Sequence, residues 1–104
     1  MKLITKDIQT KLERNFLNQN DEDIVLKLFN PCGAQTWLIT QIEPDNDIMW
    51  GLADLGFGIV EYGTISLNEI KAFSGPYGVG IERDAWFHGG KVSDFSSKTS
   101  LAGC

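Results

Sequence analysis

The sequence predicts a single small α+β domain, in which an antiparallel sheet of about five strands carries helices against one face. Three observations lead to this class. The chain has 104 residues, of which 42% are hydrophobic, and this is enough for one core. Two segments begin with helix-capping patterns, and five others have strand-like composition between turn-forming clusters. The predicted order is helix, four strands, helix, strand.

The first half of the chain predicts an N-terminal helix and four strands. The helix is expected over residues 5–17, because Thr5 can cap its amide end and apolar residues then recur at helical spacing. Pro31 and Gly33 favour a turn between two strands that we expect to pair as a hairpin. The strands predicted here are residues 24–29, 36–42, 48–54 and 59–65.

The second half predicts a short helix, a last strand and a tail. Ser66 followed three residues later by Glu69 is a capping-box pattern, which predicts a helix over about 67–73. Residues 80–88 are expected to form the last strand. The chain from Gly89 onward is small and polar, so we expect a domain over residues 1–88 and a flexible C-terminal tail over 89–104.

Several protein classes are disfavoured by composition. No run approaches the roughly 18–20 apolar residues that cross a bilayer, so no membrane association is expected, and the N-terminal residues lack a secretory signal. Cys32 and Cys104 are too few for a disulfide framework and lack the paired spacing of a zinc site. We therefore expect a cytoplasmic protein with reduced thiols and no bound metal or other cofactor.

The negative charge is concentrated in one part of the sequence. The formal net charge is −5, but residues 21–61 carry eight acidic groups against one lysine, a local net charge of −7. The sequence shows no basic stripe, so direct nucleic-acid binding is disfavoured. An acidic patch over residues 21–61 would instead favour a basic protein partner.

The predicted last strand concentrates chemically useful side chains. Because side chains alternate across a strand, one face is expected to carry two carboxylates, an indole and the single imidazole of the chain. These residues are Glu82, Asp84, Trp86 and His88. The alternative is a solvated strand face on which Arg83 pairs with a neighbouring carboxylate.

The acidic residues also allow a metal-dependent alternative. Asp54 and Glu61 flank the turn at residues 56–58, and with Glu82, Asp84 and His88 they would form a Mg²⁺ or Mn²⁺ site for phosphodiester hydrolysis. No spacing such as His-Glu-x-x-His supports it. A nuclease would also need to attract a polyanion, and the sequence shows no basic groove.

Aromatic residues offer a different chemistry, a stacking pocket beside the glycine-rich segments 56–58 and 75–80 that would hold a nucleotide. The residues of this pocket would be Trp37, Trp50, Tyr62, Tyr77 and Trp86. We expect such a pocket at the interface of a homo-oligomer. The alternative is that Trp37 and Trp50 belong to the core of the sheet. The full set of candidate ligand- or partner-binding residues is Trp50, Tyr62, Tyr77, Glu82, Arg83, Asp84, Trp86 and His88.

Five segments together resemble a known family. They are LITK at 3–6, TWLIT at 36–40, GLAD at 51–54, YGTISLNEI at 62–70 and GPYGVGIERDAWF at 75–87. The chain over residues 3–88 resembles the bacterial domain-of-unknown-function family numbered twenty-nine fifty-eight, carried by plasmids, integrative elements and phages. The tail from Gly89 is expected to lie outside this resemblance.

The resemblance implies a mobile-element setting inside a bacterial host cell. Small accessory proteins of phages and plasmids often counter host defences. The resulting hypothesis is non-enzymatic binding to a host defence protein or to its small nucleotide signal. The alternative is a divalent-metal-dependent single-stranded DNA endonuclease, the label that some relatives carry.

Overall fold

In a computed structural model, which describes residues 2–102, a five-stranded antiparallel sheet is flanked by helices, and the predicted α+β class is confirmed. The longest helix, α1, has 12 residues, and no helix among residues 2–102 is long and apolar enough to cross a bilayer. The helices are α1 (Lys6–Leu17), α2 (Leu67–Ala72) and α3 (Val92–Phe95). The strands are β1 (Asp23–Ile24), β2 (Leu26–Phe29), β3 (Thr36–Ile42), β4 (Ile48–Asp54), β5 (Val60–Ser66), β6 (Glu82–Arg83) and β7 (Gly90–Lys91).

Both predicted helix starts are capped by the expected hydroxyl groups. Thr5 Oγ1 accepts a hydrogen bond from the Ile8 amide, and Ser66 Oγ accepts one from the Glu69 amide, both at 3.2 Å. The start of α2 has a further partner in the loop before β4. Asp47 Oδ1 accepts hydrogen bonds from the Asn68 amide and from the Ser66 hydroxyl, which fixes α2 against this loop.

The main sheet has the strand order β5-β4-β3-β2-β6, with every pair antiparallel. A β-bulge between Ile39 and Gln41 shifts the register of β3 against β4. Gly51 lies beside this bulge at a close approach of the two strands. A Cβ at Gly51 would lie 2.1 Å from the carbonyl oxygen of Leu38, so the backbone here requires glycine.

The sheet has apolar residues on both faces, because neighbouring β3 residues belong to different clusters. Trp37 and Ile39 pack with side chains of α1 and α2, whereas Leu38 packs with the chain after Phe87. The two predicted helices, α1 and α2, pack on one face as expected. Helix α3, which lies in the segment expected to be a tail, packs its Val92 and Phe95 against the second cluster on the other face. The second cluster is completed by Ile24, Leu52 and the fully buried Leu101.

The predicted last strand is much shorter than expected. Only Glu82 and Arg83 pair with β2, and the chain then turns. Asp84 ends the strand because its carboxylate accepts a hydrogen bond from the Trp86 amide at 2.9 Å and its carbonyl accepts one from the Phe87 amide. The alternating face of Glu82, Asp84, Trp86 and His88 consequently does not form.

The chain after Gly89, expected to be a tail, packs on the domain over its described residues. Strand β7 pairs with β1, and Lys91 forms an ion pair with Asp23. Leu101 is buried, and its amide donates a hydrogen bond of 2.8 Å to Asp54 Oδ2. Gly103 and Cys104, the end of the expected tail, lie outside the described residues.

Candidate functional site

An aromatic pair on the sheet forms the centre of the candidate site. Trp50 and Tyr62 stack with ring centroids 6.3 Å apart and an interplanar angle of 26°. They come together because Tyr62 pairs with Leu52 across β4 and β5, so Trp50, two residues from Leu52, lies diagonal to Tyr62 on the same face. Trp50 is only partly buried, and Tyr62 is 37% exposed.

Both rings are held by hydrogen bonds. Trp50 Nε1 donates to Glu43 Oε2 at 2.7 Å. The Thr40 hydroxyl donates to the Trp50 carbonyl at 3.1 Å and lies 2.9 Å from the Tyr62 hydroxyl. Since a hydroxyl has one proton, Thr40 accepts from Tyr62, and the Tyr62 oxygen keeps its lone pairs free to accept.

The stacked pair forms one wall of an open groove of about 550 Å³, which we call the aromatic–acidic groove. Its opposite wall is the end of α1 and the following loop, where Asn20 Oδ1 accepts hydrogen bonds from the amides of Glu22 and Asp23. The groove is lined by Phe16, Leu17, Gln19, Asp21, Gln41, Glu43, Trp50 and Tyr62. Among these described lining residues, two are acidic and none is basic.

The electrostatics of the groove favour a cation. Burial raises the pKa of Tyr62, and the negative charge of Asp21 raises it further, so the phenol stays neutral at physiological pH. The groove therefore presents two carboxylates, a phenol oxygen and an exposed apolar Leu17. Such a set accepts hydrogen bonds from a guanidinium or ammonium group and offers ring faces for cation–π contact.

Six of the predicted binding residues lie elsewhere. Tyr77, in a single 3-10 turn at Pro76–Gly78, is fully exposed. Trp86 is 84% exposed in the turn after β6. The others, which also do not line the groove, are Glu82, Arg83, Asp84 and His88.

Arg83 and Asp84 have structural partners. Arg83 Nε donates to the carbonyl of Lys2, so the expected pairing of Arg83 with a neighbouring carboxylate is not formed. Asp84 lies 3.5 Å from the Nζ of the largely buried Lys27. These contacts attach strand β6 to the rest of the domain.

The five residues of the metal-dependent alternative are not brought into one group. Asp54 is 2% exposed, and its two oxygens accept hydrogen bonds from the amides of Gly56 and Leu101. Glu61 is exposed on β5, at the opposite edge of the sheet from β6. Over residues 2–102, no group of three or more His, Cys, Asp or Glu side chains is arranged to hold a metal ion.

The expected acidic patch is divided among several roles. Asp21 and Glu43 line the groove, whereas Asp23, Asp47 and Asp54 bind other parts of the domain. Backbone and hydroxyl hydrogen bonds from α2 lower the pKa of Asp47, and hydrogen bonds from Lys91 and Asn20 lower that of Asp23. Three of the eight acidic residues over 21–61, Asp23, Asp47 and Asp54, therefore make contacts within the domain.

Sequence reasoning identified both rings but missed the carboxylates beside them. The register of the β3–β4 hairpin could have indicated Glu43. Gln41 pairs with Trp50, and Glu43 follows Gln41 by two residues, which is the spacing of side chains on one face of a strand. The placement of Asp21, Phe16 and Leu17 depends on how α1 packs against the sheet. No local pattern encodes that packing.

One comparison with known proteins gives a match. The model of the family described as "Protein of unknown function (DUF2958)" matches residues 3–103. The match passes well beyond residue 88, where the resemblance was expected to end, and it includes the packed segment that contains Leu101. Neither the curated proteins nor the solved structures give a match to this chain.

Proposed function

Since the chain belongs to the DUF2958 family, whose function is unknown, we propose a function from its own residues: non-enzymatic binding of a basic protein partner through the aromatic–acidic groove. The observation that carries the proposal is the stacked Trp50–Tyr62 pair with Glu43 bonded to the indole and Asp21 near the phenol. The ligand class is an arginine or lysine side chain on the surface of the partner.

The hydrogen bonds leave the groove rich in acceptors. The indole N–H is used by Glu43 Oε2, which leaves Oε1 to accept from a ligand. The Tyr62 hydroxyl donates its proton to Thr40, so the Tyr62 oxygen can accept a hydrogen bond from a ligand. Arginine fits this set well, because its planar guanidinium combines several donors with a face that stacks on aromatic rings.

The same charges disfavour a nucleotide ligand. A phosphate in the groove would lie among the carboxylates of Asp21 and Glu43, and the described lining offers no positive side chain to offset the repulsion. Of the two hypotheses for an anti-defence protein, the charge of the groove therefore favours binding to a defence protein over sequestration of its nucleotide signal.

A titration observed through the indole N–H groups tests the ligand class. Three tryptophans give three indole signals, and Trp50→Phe identifies the one in the groove. We expect an arginine-rich peptide to shift the Trp50 signal, whereas a peptide with citrulline in place of arginine leaves it unmoved. A cyclic or linear nucleotide that shifts this signal when the arginine peptide does not would contradict the proposal.

A charge reversal in the groove has a matched control. Asp21→Lys places a positive charge in the groove, and we expect it to abolish the arginine-dependent shift. Glu82→Lys makes the same change of net charge on exposed β6, outside the groove, and should leave the shift intact. Loss of the shift in both variants would indicate general electrostatic attraction instead of a groove.

We extend the proposal to the mobile-element setting that the resemblance implies, in which the basic partner is a host defence protein. On a host that carries the defence system, the efficiency of phage plating is expected to rise when the wild-type chain is present. Asp21→Lys should abolish this rise, and Glu82→Lys should retain it. An equal rise in plating with the wild type and with Asp21→Lys would show that any anti-defence role does not depend on the groove.

A further inference from the structure

The outer strand of the sheet has an open edge. Strand β5 pairs with β4 on one side, and among the described residues nothing pairs with its other side. It is seven residues long, contains no proline and carries one charged residue, Glu61. Long edge strands without proline or several charges readily pair with another strand, so this edge requires an explanation.

Exposed apolar side chains lie next to this edge. The turn between β4 and β5 exposes 48% of Leu55, 82% of Phe57 and 57% of Ile59. On the same face as Ala53, an apolar groove of about 320 Å³ runs between β5 and α2 and is lined in part by Ile65, Ile70 and Phe73. One end of β5 thus carries a projecting apolar turn, and the other carries an apolar groove.

We propose that β5 pairs with β5 of a second copy of this chain, around a two-fold axis at Gly63. In antiparallel pairing about this axis, Tyr62 lies opposite the partner's Thr64, and Glu61 lies opposite the partner's Ile65. The two Glu61 carboxylates are then four residues, or about 13 Å, apart along the strands, so like charges do not face each other.

The two-fold axis brings the projecting turn and the apolar groove together. At the end of the paired strands Val60 of one copy lies opposite the partner's Ser66, which lines the groove, so the turn that precedes Val60 lies next to the partner's groove. Because the axis is perpendicular to the sheet, both features stay on the same face. A second copy accounts for both at once, as an isologous interface requires, whereas a bound peptide would leave the turn exposed.

The available surface suits a weak dimer. From their exposed fractions, the four apolar residues Leu55, Phe57, Ile59 and Phe73 offer roughly 350–500 Å² per copy. Two copies with the paired edges would bury about 1,000 Å², at the lower end of specific interfaces. The formal charge of −5 on each copy opposes association, so higher ionic strength should strengthen the dimer.

Sedimentation of the full chain over a concentration series tests the dimer. We expect concentration-dependent dimerisation that strengthens with salt and that Phe57→Asp weakens at least tenfold. Trp86→Asp is the matched control, since Trp86 is 84% exposed and lies away from β5, and it should leave the dimer unchanged. A monomer at all concentrations, or a dimer indifferent to Phe57→Asp, would overturn the proposal.

Disulfide trapping tests the register in a background that lacks Cys32 and Cys104. Gly63→Cys is sterically permitted, because a Cβ there meets nothing within 4 Å, and it should form an intermolecular disulfide. Glu61→Cys should not, because its two copies lie about 13 Å apart. Trapping of Glu61→Cys but not Gly63→Cys would overturn this axis.

Discussion

Leu101 tests whether the chain after Gly89 is part of the domain. Its side chain is fully buried in a cluster with Ile24, Leu38 and Leu52, although residues 96–100 before it are exposed. Leu101→Ala removes buried methyl groups and leaves a cavity, which costs about 2–5 kcal/mol in well-packed cores. Because the exposed neighbouring segment can partly collapse onto the cavity, we expect the lower part of this range, about 2–3 kcal/mol.

This cost is large for a domain of 104 residues. Since total stabilities are about 5–15 kcal/mol, Leu101→Ala should remove a sizeable fraction and lower the midpoint of thermal unfolding by roughly 8–24 °C. Urea unfolding followed by circular dichroism gives the free energy directly. Leu17→Ala is the control, because Leu17 is 78% exposed and the same change there should stay within about 0.5 kcal/mol.

Equal stability of the two alanine variants would refute the reasoning. It would mean that Leu101 is not packed in solution and that the end of the chain beyond α3 is a tail. A companion variant is Asp54→Asn, which replaces one of the two oxygens that accept amide hydrogen bonds from Gly56 and Leu101. We expect a loss of about 1–3 kcal/mol from the buried amide left without its acceptor.

Two further predictions concern the sheet and the start of α2. Gly51→Ala should lower the free energy of unfolding in urea by at least about 2 kcal/mol, because its Cβ would meet the Leu38 carbonyl at 2.1 Å. Gly63→Ala is the control, since its Cβ enters open space and the free energy of unfolding should change by no more than about 1 kcal/mol. The pKa of Asp47 is lower in the folded chain than in the unfolded chain. The ionised carboxylate therefore stabilises the fold at pH values above the unfolded-state pKa, and this contribution is lost as the pH falls through the folded-state pKa. Asp47→Asn should therefore make the free energy of unfolding depend less steeply on pH below about pH 4. An unchanged pH dependence would contradict the assignment.

The elements with strong local signals were predictable from sequence. The strand at residues 36–42 and the one at 48–54 match the structure, and Thr5 and Ser66 cap the helices as expected. These signals are local, since a capping hydroxyl acts within three residues and strand composition extends over five to seven. The stacking of Trp50 on Tyr62 depended on register, which the sequence leaves open.

The failures concern side chains whose hydrogen bonds and ion pairs the strand pattern does not show. Asp84 was placed on a strand face, but a local turn ends the strand there and the Asp84 carboxylate pairs with Lys27, 57 residues earlier. Asp54 was placed in a metal site, yet it accepts a hydrogen bond from an amide 47 residues away. The segment after Gly89 is mostly small and polar in composition, yet its few apolar residues, Val92, Phe95 and Leu101, pack on the second cluster.

The groove and the open edge of β5 respond oppositely to salt, and this separates the two proposals. Binding of a cationic side chain to Asp21 and Glu43 is attractive and weakens as ions screen it. Pairing of two copies that each carry −5 is opposed by charge and strengthens under the same screening. Tyr62 lies on β5 and also lines the groove, so pairing at Gly63 would place two grooves on one face of a continuous sheet. A partner with two suitably spaced basic sites would then bind more tightly than either groove alone allows, and Phe57→Asp would remove that gain while leaving the affinity of each groove unchanged.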